Sequence, residues 1–318
     1  MSTLRIRFFG SLDLQRDGQS LPRFPSRKVR DLFVYLTLNR ETTHSREQLA
    51  GLFWGDSDDE KARHSLNTAL WRLNGVLSAG GDGRGRSQLR ITPQEIGFNP
   101  AADFWFDVAE FESRCALAAS CATPEQQAAL YTQAVSFYTG DLLTDCYEGW
   151  CIRERDRFHC LYLRALSELL QYHAGRRGFE AAIDCARRIL AADSLREEVH
   201  RELIRLYLIT GQTASALRQY RVCEELLQRE LAVAPMPQTQ QLLVQILGAN
   251  QGAPARGMRI GNSGDPVPLA LAEIARELSA SMALAQQAVA ACDQARARLQ
   301  EFMLQQQSQT ALRRSHAA

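Results

Sequence analysis

The stretch KARHSLNTALWRLNGVL, residues 61 to 77, gathers the side chains with the most chemistry to offer. At about 100° per residue, Ala62, Leu66, Ala69, Leu70, Leu73 and Leu77 fall on one arc, the apolar stripe of an amphipathic helix. The other side carries Lys61, His64, Thr68, Trp71 and Arg72, with Arg63 and Asn67 completing the polar set. No nucleophile, base and orienting group stand together there, so the face is suited to recognition rather than covalent chemistry. Ammonium and guanidinium groups neutralise phosphates, while imidazole, hydroxyl and amide groups complement base edges in the major groove of a duplex. A tryptophan on that side needs its own explanation. Either its ring lies against a sugar-phosphate wall with the indole N–H toward a phosphate, or it packs beneath another part of the protein.

The elements around this helix decide how it is presented. Leu4-Arg5-Ile6-Arg7-Phe8 alternates as a strand does, and Arg16-Asp17-Gly18-Gln19 reads as a hairpin turn. Helical period begins at Ser26, with Val29, Leu32, Phe33, Leu36 and Leu38 on one face. A shorter helix, SREQLAGLFW, follows, and Ser45 and Gln48 have the spacing of a capping box. Ser57 and Glu60 repeat that spacing just before the helix at 61 to 77. The loop AGGDGRGRS leads to QLRITPQEIGFN, in which two alternating stretches flank Thr92-Pro93-Gln94 as in a β-hairpin. Strands, three helices and a hairpin are the layout of a winged helix-turn-helix, whose third helix packs on the first two and offers its outer side to DNA. The hairpin is then the wing, with Arg84, Arg86 and Arg90 beside the adjacent groove.

From Asp107 to Leu247 the pattern is helical almost throughout. Gly178 and Gly211 each separate two helical segments, and FEAAIDCARRIL aligns with TASALRQYRVCEELL at about 34 residues. Small residues such as Ala182 and Ala216 stand where helices of a tetratricopeptide-like repeat cross. Two readings fit Trp150, Glu154 and Arg155: an interaction surface, or a core tryptophan with an ion pair that orders its helix. The run Arg153-Glu154-Arg155-Asp156-Arg157 reads as a solvated helix face. Residues 248–268 form a Gly/Pro-rich linker. A long helix over 269–318 places Leu271, Ile274, Leu278, Ala285, Ala288, Cys292, Ala295, Leu299 and Phe302 at heptad spacing, as in a coiled coil with a weak, alanine-rich seam. The expected fold class is mainly α with small β: an N-terminal winged helix-turn-helix, a tetratricopeptide-like α-helical repeat domain, then a long C-terminal helix.

The totals exclude several classes. The 318 residues sum to a charge of only +1, although residues 1–100 hold 15 Lys+Arg against 11 Asp+Glu, a mildly basic third. Eight cysteines without a CxxC read as reduced, buried small hydrophobes. Six histidines show no paired-ligand spacing, and GGDGRGR lacks the setting of a phosphate-binding loop. Asp56, Asp58, Asp59 and Glu60 precede a helix and suit the positive end of its dipole. No apolar run approaches the ~18 residues of a membrane span, and MSTLRIRFFG has charges where a signal peptide needs its apolar core. A cytoplasmic protein with no metal, no cofactor and no enzymatic constellation is expected.

The runs LRIRFFGSLDL, PSRKVRDLFVYL and SREQLAGLFWGDSDDEKARHSLNTALWRL resemble the DNA-binding domain of the Streptomyces antibiotic regulatory protein family. YTGDLLTD, Trp150 with Glu154-Arg155, DSLREEVHRELIRLYLITGQTASALRQY and LQREL resemble its bacterial transcriptional activator domain. The resemblance covers about residues 4 to 247. It implies an OmpR-type winged helix over 1–103 and the activator domain over 104–247. It further implies an activator that binds repeats in double-stranded promoter DNA and contacts RNA polymerase, with Lys61, Arg63, His64, Asn67, Thr68, Trp71, Arg72, Arg84, Arg86 and Arg90 toward the DNA. Where the family's recognition helix commonly ends in further arginines, this chain has Asn74-Gly75, which implies binding that is weaker and less salt-dependent than the family's. The competing reading is a helical-repeat adaptor whose winged helix docks protein instead of DNA. The C-terminal heptads point to a homodimer, the alternative being a helix folded back on the repeats. Removing residues 267–318 is expected to lower the solution mass from dimer to monomer in analytical ultracentrifugation. An unchanged mass would exclude self-association through that helix.

Overall fold

The computed structural model describes residues 3–79 and 87–251. The alternation at the start of the chain buries Leu4 and Ile6 and exposes Arg5 and Arg7, giving strand β1 (Leu4–Arg7). It pairs antiparallel with β2 (Asp13–Arg16), which pairs with β3 (Gln19–Ser20). Asp17 and Gly18 between them both have positive φ, 50° and 80°, as a two-residue hairpin turn requires. Helix α1 (Arg27–Leu38) begins after Ser26, whose hydroxyl accepts from the Val29 amide. Strand β4 (Thr43–Ser45) leads into α2 (Arg46–Trp54), where the Ser45 hydroxyl accepts from the Gln48 amide. Helix α3 (Asp59–Ser78) is capped by Asp58, which accepts from the Lys61 amide at 2.9 Å. The capping residue expected at Ser57 is thus one position early; the carboxylate of Asp58 reaches the third amide of the helix and complements its positive end.

The wing strands β5 (Leu89–Ile91) and β6 (Glu95–Phe98) form a three-stranded sheet with β4, in the order β4-β6-β5. Gly97 lies opposite Thr43, and a Cβ there would come within 3.1 Å of the Thr43 side chain, so β4 approaches closely only because this residue lacks one. The strand that follows, β7 (Phe104–Phe106), returns to lie parallel to β1 and closes the N-terminal sheet as β3-β2-β1-β7. The expected boundary at 103/104 therefore falls just before a strand that completes the sheet begun at residue 4.

Among the described residues seven helices follow: α4 (Asp107–Ser120), α5 (Pro124–Phe137), α6 (Gly149–Gly175), α7 (Phe179–Ala192), α8 (Glu197–Ile209), α9 (Thr213–Leu231) and α10 (Pro237–Gln251). Each packs on the next, and α10 meets α8 as well as α9. Ala182 and Ala216 are completely buried at the crossings, as the 34-residue repeat anticipates. Helix α10 runs on through residue 251, beyond the linker's expected start at 248, because Gly248 is accommodated in helical conformation. The rest of the linker, the coiled-coil helix over 269–318, and Arg84 and Arg86 with their glycine-rich loop lie outside the described residues. Among the described residues no helix is long and apolar enough to cross a membrane.

One seam joins the winged helix to the helical repeats. The buried Asp107 carboxylate accepts from the amides of Phe8 (3.0 Å), Phe9 (3.1 Å) and Val108 (2.8 Å). The Phe8 ring meets Phe33 and Phe106, whereas the Phe9 ring meets Phe111, Tyr138 and Phe158. Two consecutive aromatics thus point into the two halves of the protein. Trp150 is only 9% exposed and packs edge-on against Tyr35 of α1 and Phe53 of α2. It is an internal anchor and does not form the interaction surface that was one of its two readings. Arg155 is drawn inward too, its guanidinium donating to the carbonyls of Leu142, Leu143 and Cys146. The solvated-face reading fails there, because that loop turns three carbonyls toward the one donor fork that can satisfy them. Glu154 pairs with Arg157 at 2.8 Å, not with Arg155.

Burial pushes the Asp107 carboxyl from about 3.8 up to about 6, with its three amide donors pulling the other way. A raised acid favours the protonated fold: its stabilisation is full below the unfolded value and is lost as pH climbs through about 6. The stability difference between the native chain and Asp107→Asn, read from urea midpoints, is therefore expected to fall between pH 4 and 6.5. A flat difference would contradict it. Asp107→Ala, which strands three amides, should cost about 3 kcal/mol.

Candidate nucleic-acid interface

The apolar stripe of α3 is buried as its period requires: Ala62, Leu66, Ala69, Leu70, Leu73 and Leu77 are all 4% exposed or less, packed toward α1 and α2. That burial turns Lys61, Arg63, His64, Asn67 and Arg72 outward, with Thr68 half-buried beside them. Trp71 is 76% exposed. Among the described residues nothing covers this ring, contrary to the second explanation for it.

The outward groups differ in how they are held. The Lys61 ammonium lies 2.8 Å from the Asp58 carboxylate, and this contact keeps the Asp58 carboxyl below its usual range. Arg63 reaches across to Glu47 at 3.1 Å. Exposed pairs of this kind are weak, so either cation can exchange its carboxylate for a phosphate at little cost. The Thr68 hydroxyl donates back to the His64 carbonyl at 3.1 Å, which leaves its oxygen lone pairs outward. Among the described residues Arg72 has no ion pair, and neither does Arg90, which stands exposed on β5. Among the same residues, no group of three or more His, Cys, Asp or Glu side chains is placed to hold a metal ion.

Two features of this face escape sequence reading. Arg23, with Pro22 and Pro25, forms a cleft with Trp71, Arg72 and Val76 at the C-terminal end of α3, adding a cation from a segment some fifty residues earlier. Arg46 ties three elements together. Its amide donates to the Gln94 carbonyl (3.2 Å), its Nε to the Thr92 carbonyl (3.1 Å) and its terminal nitrogen to the Asn67 Oδ1 (2.7 Å). The wing turn, the start of α2 and the middle of α3 are thereby fixed to one another. Neither arginine carries a periodic or spacing signal, since each acts across a distance in the chain that only the fold closes. Lys28, by contrast, is spent on structure: its ammonium donates to the Phe53 carbonyl at 2.6 Å, near the end of α2.

The inward and outward sides of α3 should respond oppositely to truncation. Leu66→Ala is expected to lower stability by about 3 kcal/mol through cavity formation, whereas Trp71→Ala should change it by about 0.5 kcal/mol or less. Urea denaturation followed by far-UV circular dichroism separates the two; a large loss for Trp71→Ala would mean that the ring is part of the core.

Residues 106–247 match the bacterial transcriptional activator domain. Over 251 residues the chain is 26% identical to the regulatory protein AfsR of Streptomyces coelicolor, a similarity that covers 78% of this chain and 24% of AfsR. The chain thus spans about a quarter of that relative's length. Its fold is similar to that of Mycobacterium tuberculosis EmbR, solved in complex with a low-affinity phosphopeptide, with a TM-score of 0.59 and 22% identity over 78% of this chain and 66% of EmbR. With its winged helix set before residues that match the bacterial transcriptional activator domain, the chain is similar to transcriptional regulators of the SARP type.

Proposed function

We propose that this protein is a sequence-specific activator that binds double-stranded promoter DNA, with α3 in the major groove and the β5–β6 hairpin as the wing. The observation that carries this reading is Trp71 at 76% exposure among Lys61, His64 and Arg72, on a helix whose opposite side is sealed into the core. A large exposed aromatic among cations gains nothing for the fold. Against a duplex it covers sugar while the cations meet phosphates and the short polar groups reach base edges. Arg23 extends the cationic strip past Trp71, and Arg90 supplies one on the wing. The helical repeats, fixed to the reading head through Asp107 and Trp150, hold RNA polymerase or a second protomer at the site.

Association is driven locally, because the net charge of +1 supplies no long-range attraction to DNA. At the end of α3, Asn74 and Gly75 contribute no cation, so few counterions are released and affinity falls only gently with salt. Gel shifts of the region upstream of its own operon by the full chain, across a salt series, test the reading. Arg72→Ala should weaken binding to all sequences and lower the log–log salt slope by about one, with an unchanged circular dichroism spectrum. Absence of any preference over competitor DNA at low salt would assign the winged helix to protein docking instead.

A further inference from the structure

Arg46 does more than join wing to helix. We infer that it sets specificity: it fixes the Asn67 amide so that α3 presents an amino donor to the duplex and selects guanine, whose N7 and O6 both accept, over adenine. This inference rests on the DNA-binding reading above.

A guanidinium has five donors and no acceptor. The amide of Asn67 facing Arg46 at 2.7 Å must therefore turn its oxygen inward, since the reversed amide would set donor against donor. The guanidinium cannot follow a rotating amide, because its Nε is held by the Thr92 carbonyl and its backbone by Gln94. This charge-assisted contact is of the stronger, shorter kind. Asn67 itself is exposed on α3, one turn from His64 and from Trp71. With Oδ1 engaged, its NH2 group is what remains to face a base. An asparagine that reads adenine needs both ends of its amide outward, the oxygen for N6 and the nitrogen for N7. Here one of the oxygen's two lone pairs is engaged and the oxygen is turned toward Arg46, which weakens adenine's advantage and leaves guanine's pair of acceptors.

Selection from a randomised duplex library with the full chain, followed by sequencing, tests this. The native protein is expected to recover a motif in which one base pair is guanine, and Asn67→Ala to flatten that pair alone by roughly fivefold or more. Asn67→Asp, which only accepts, should move the same pair toward cytosine, whose amino group donates. Arg46→Met keeps the aliphatic stem, frees the amide and should admit adenine at that pair with the rest of the motif retained. A residue that merely staples the wing would lower melting temperature or overall affinity without altering one base preference, which would overturn the inference. So would adenine at the Asn67-dependent pair in the native motif, or a motif untouched by Asn67→Ala and Asn67→Asp. Asn67→Asp alters an exposed side chain, so its result stands even where Arg46→Met does not fold. No motif at all from the native chain would instead overturn the DNA-binding reading itself.

Discussion

Burial of the leucines of α3 against the first two helices is the constraint on which the rest of this structure depends. Leu66, Leu70, Leu73 and Leu77 are sealed in the core, and each contributes roughly 2 kcal/mol from apolar area removed from water. Turning the helix by one position would bring that surface into solvent and drive Lys61 or Arg72 into the core, where a charge without a partner is far more costly. The outward direction of Trp71, His64 and Asn67 follows from this balance and from nothing local to those residues. On the proposed reading, recognition is thus a by-product of packing: the core chooses which side of the helix is left for a duplex.

A second constraint makes the winged helix and the helical repeats one piece. Phe8 and Phe9 send their rings to opposite halves while their amides share a single buried carboxylate, Asp107, and Trp150 wedges between Tyr35 and Phe53. The contact is apolar, aromatic and hydrogen-bonded, unlike the thin polar linkers that let domains swing. Met1 to Ala253 accordingly forms one compact unit. On the proposed reading, a protein bound to the helical repeats would therefore be held at a set distance and angle from the winged helix, as recruitment by contact requires.

Much of this was written in local pattern. The stripe of α3, the turn at Asp17-Gly18, the cap at Ser45 and the buried alanines at 182 and 216 all obey short-range rules of period and spacing. The cap of α3 moved by one residue because Ser57 and Asp58 are both good caps and spacing alone cannot rank them. What stayed hidden depends on pairs far apart in the chain. The strand Phe104–Phe106 is three aromatics in a row and shows no polar-apolar alternation, and it pairs with β1 a hundred residues away. Arg155 sits in a run of alternating charges, and only the fold brings three carbonyls to it. Arg46 looks like any first-turn arginine until Thr92 and Asn67 close around it.

The most direct test places a benzophenone photo-crosslinker at position 71 of the full chain, with position 209, an exposed isoleucine of α8, as the control. Irradiation with duplex bearing the selected sequence should join position 71 to DNA and leave position 209 unreacted with it. DNA binding without crosslinking at 71, or crosslinking from 71 only to protein, would show that the outward side of α3 is not the reading surface.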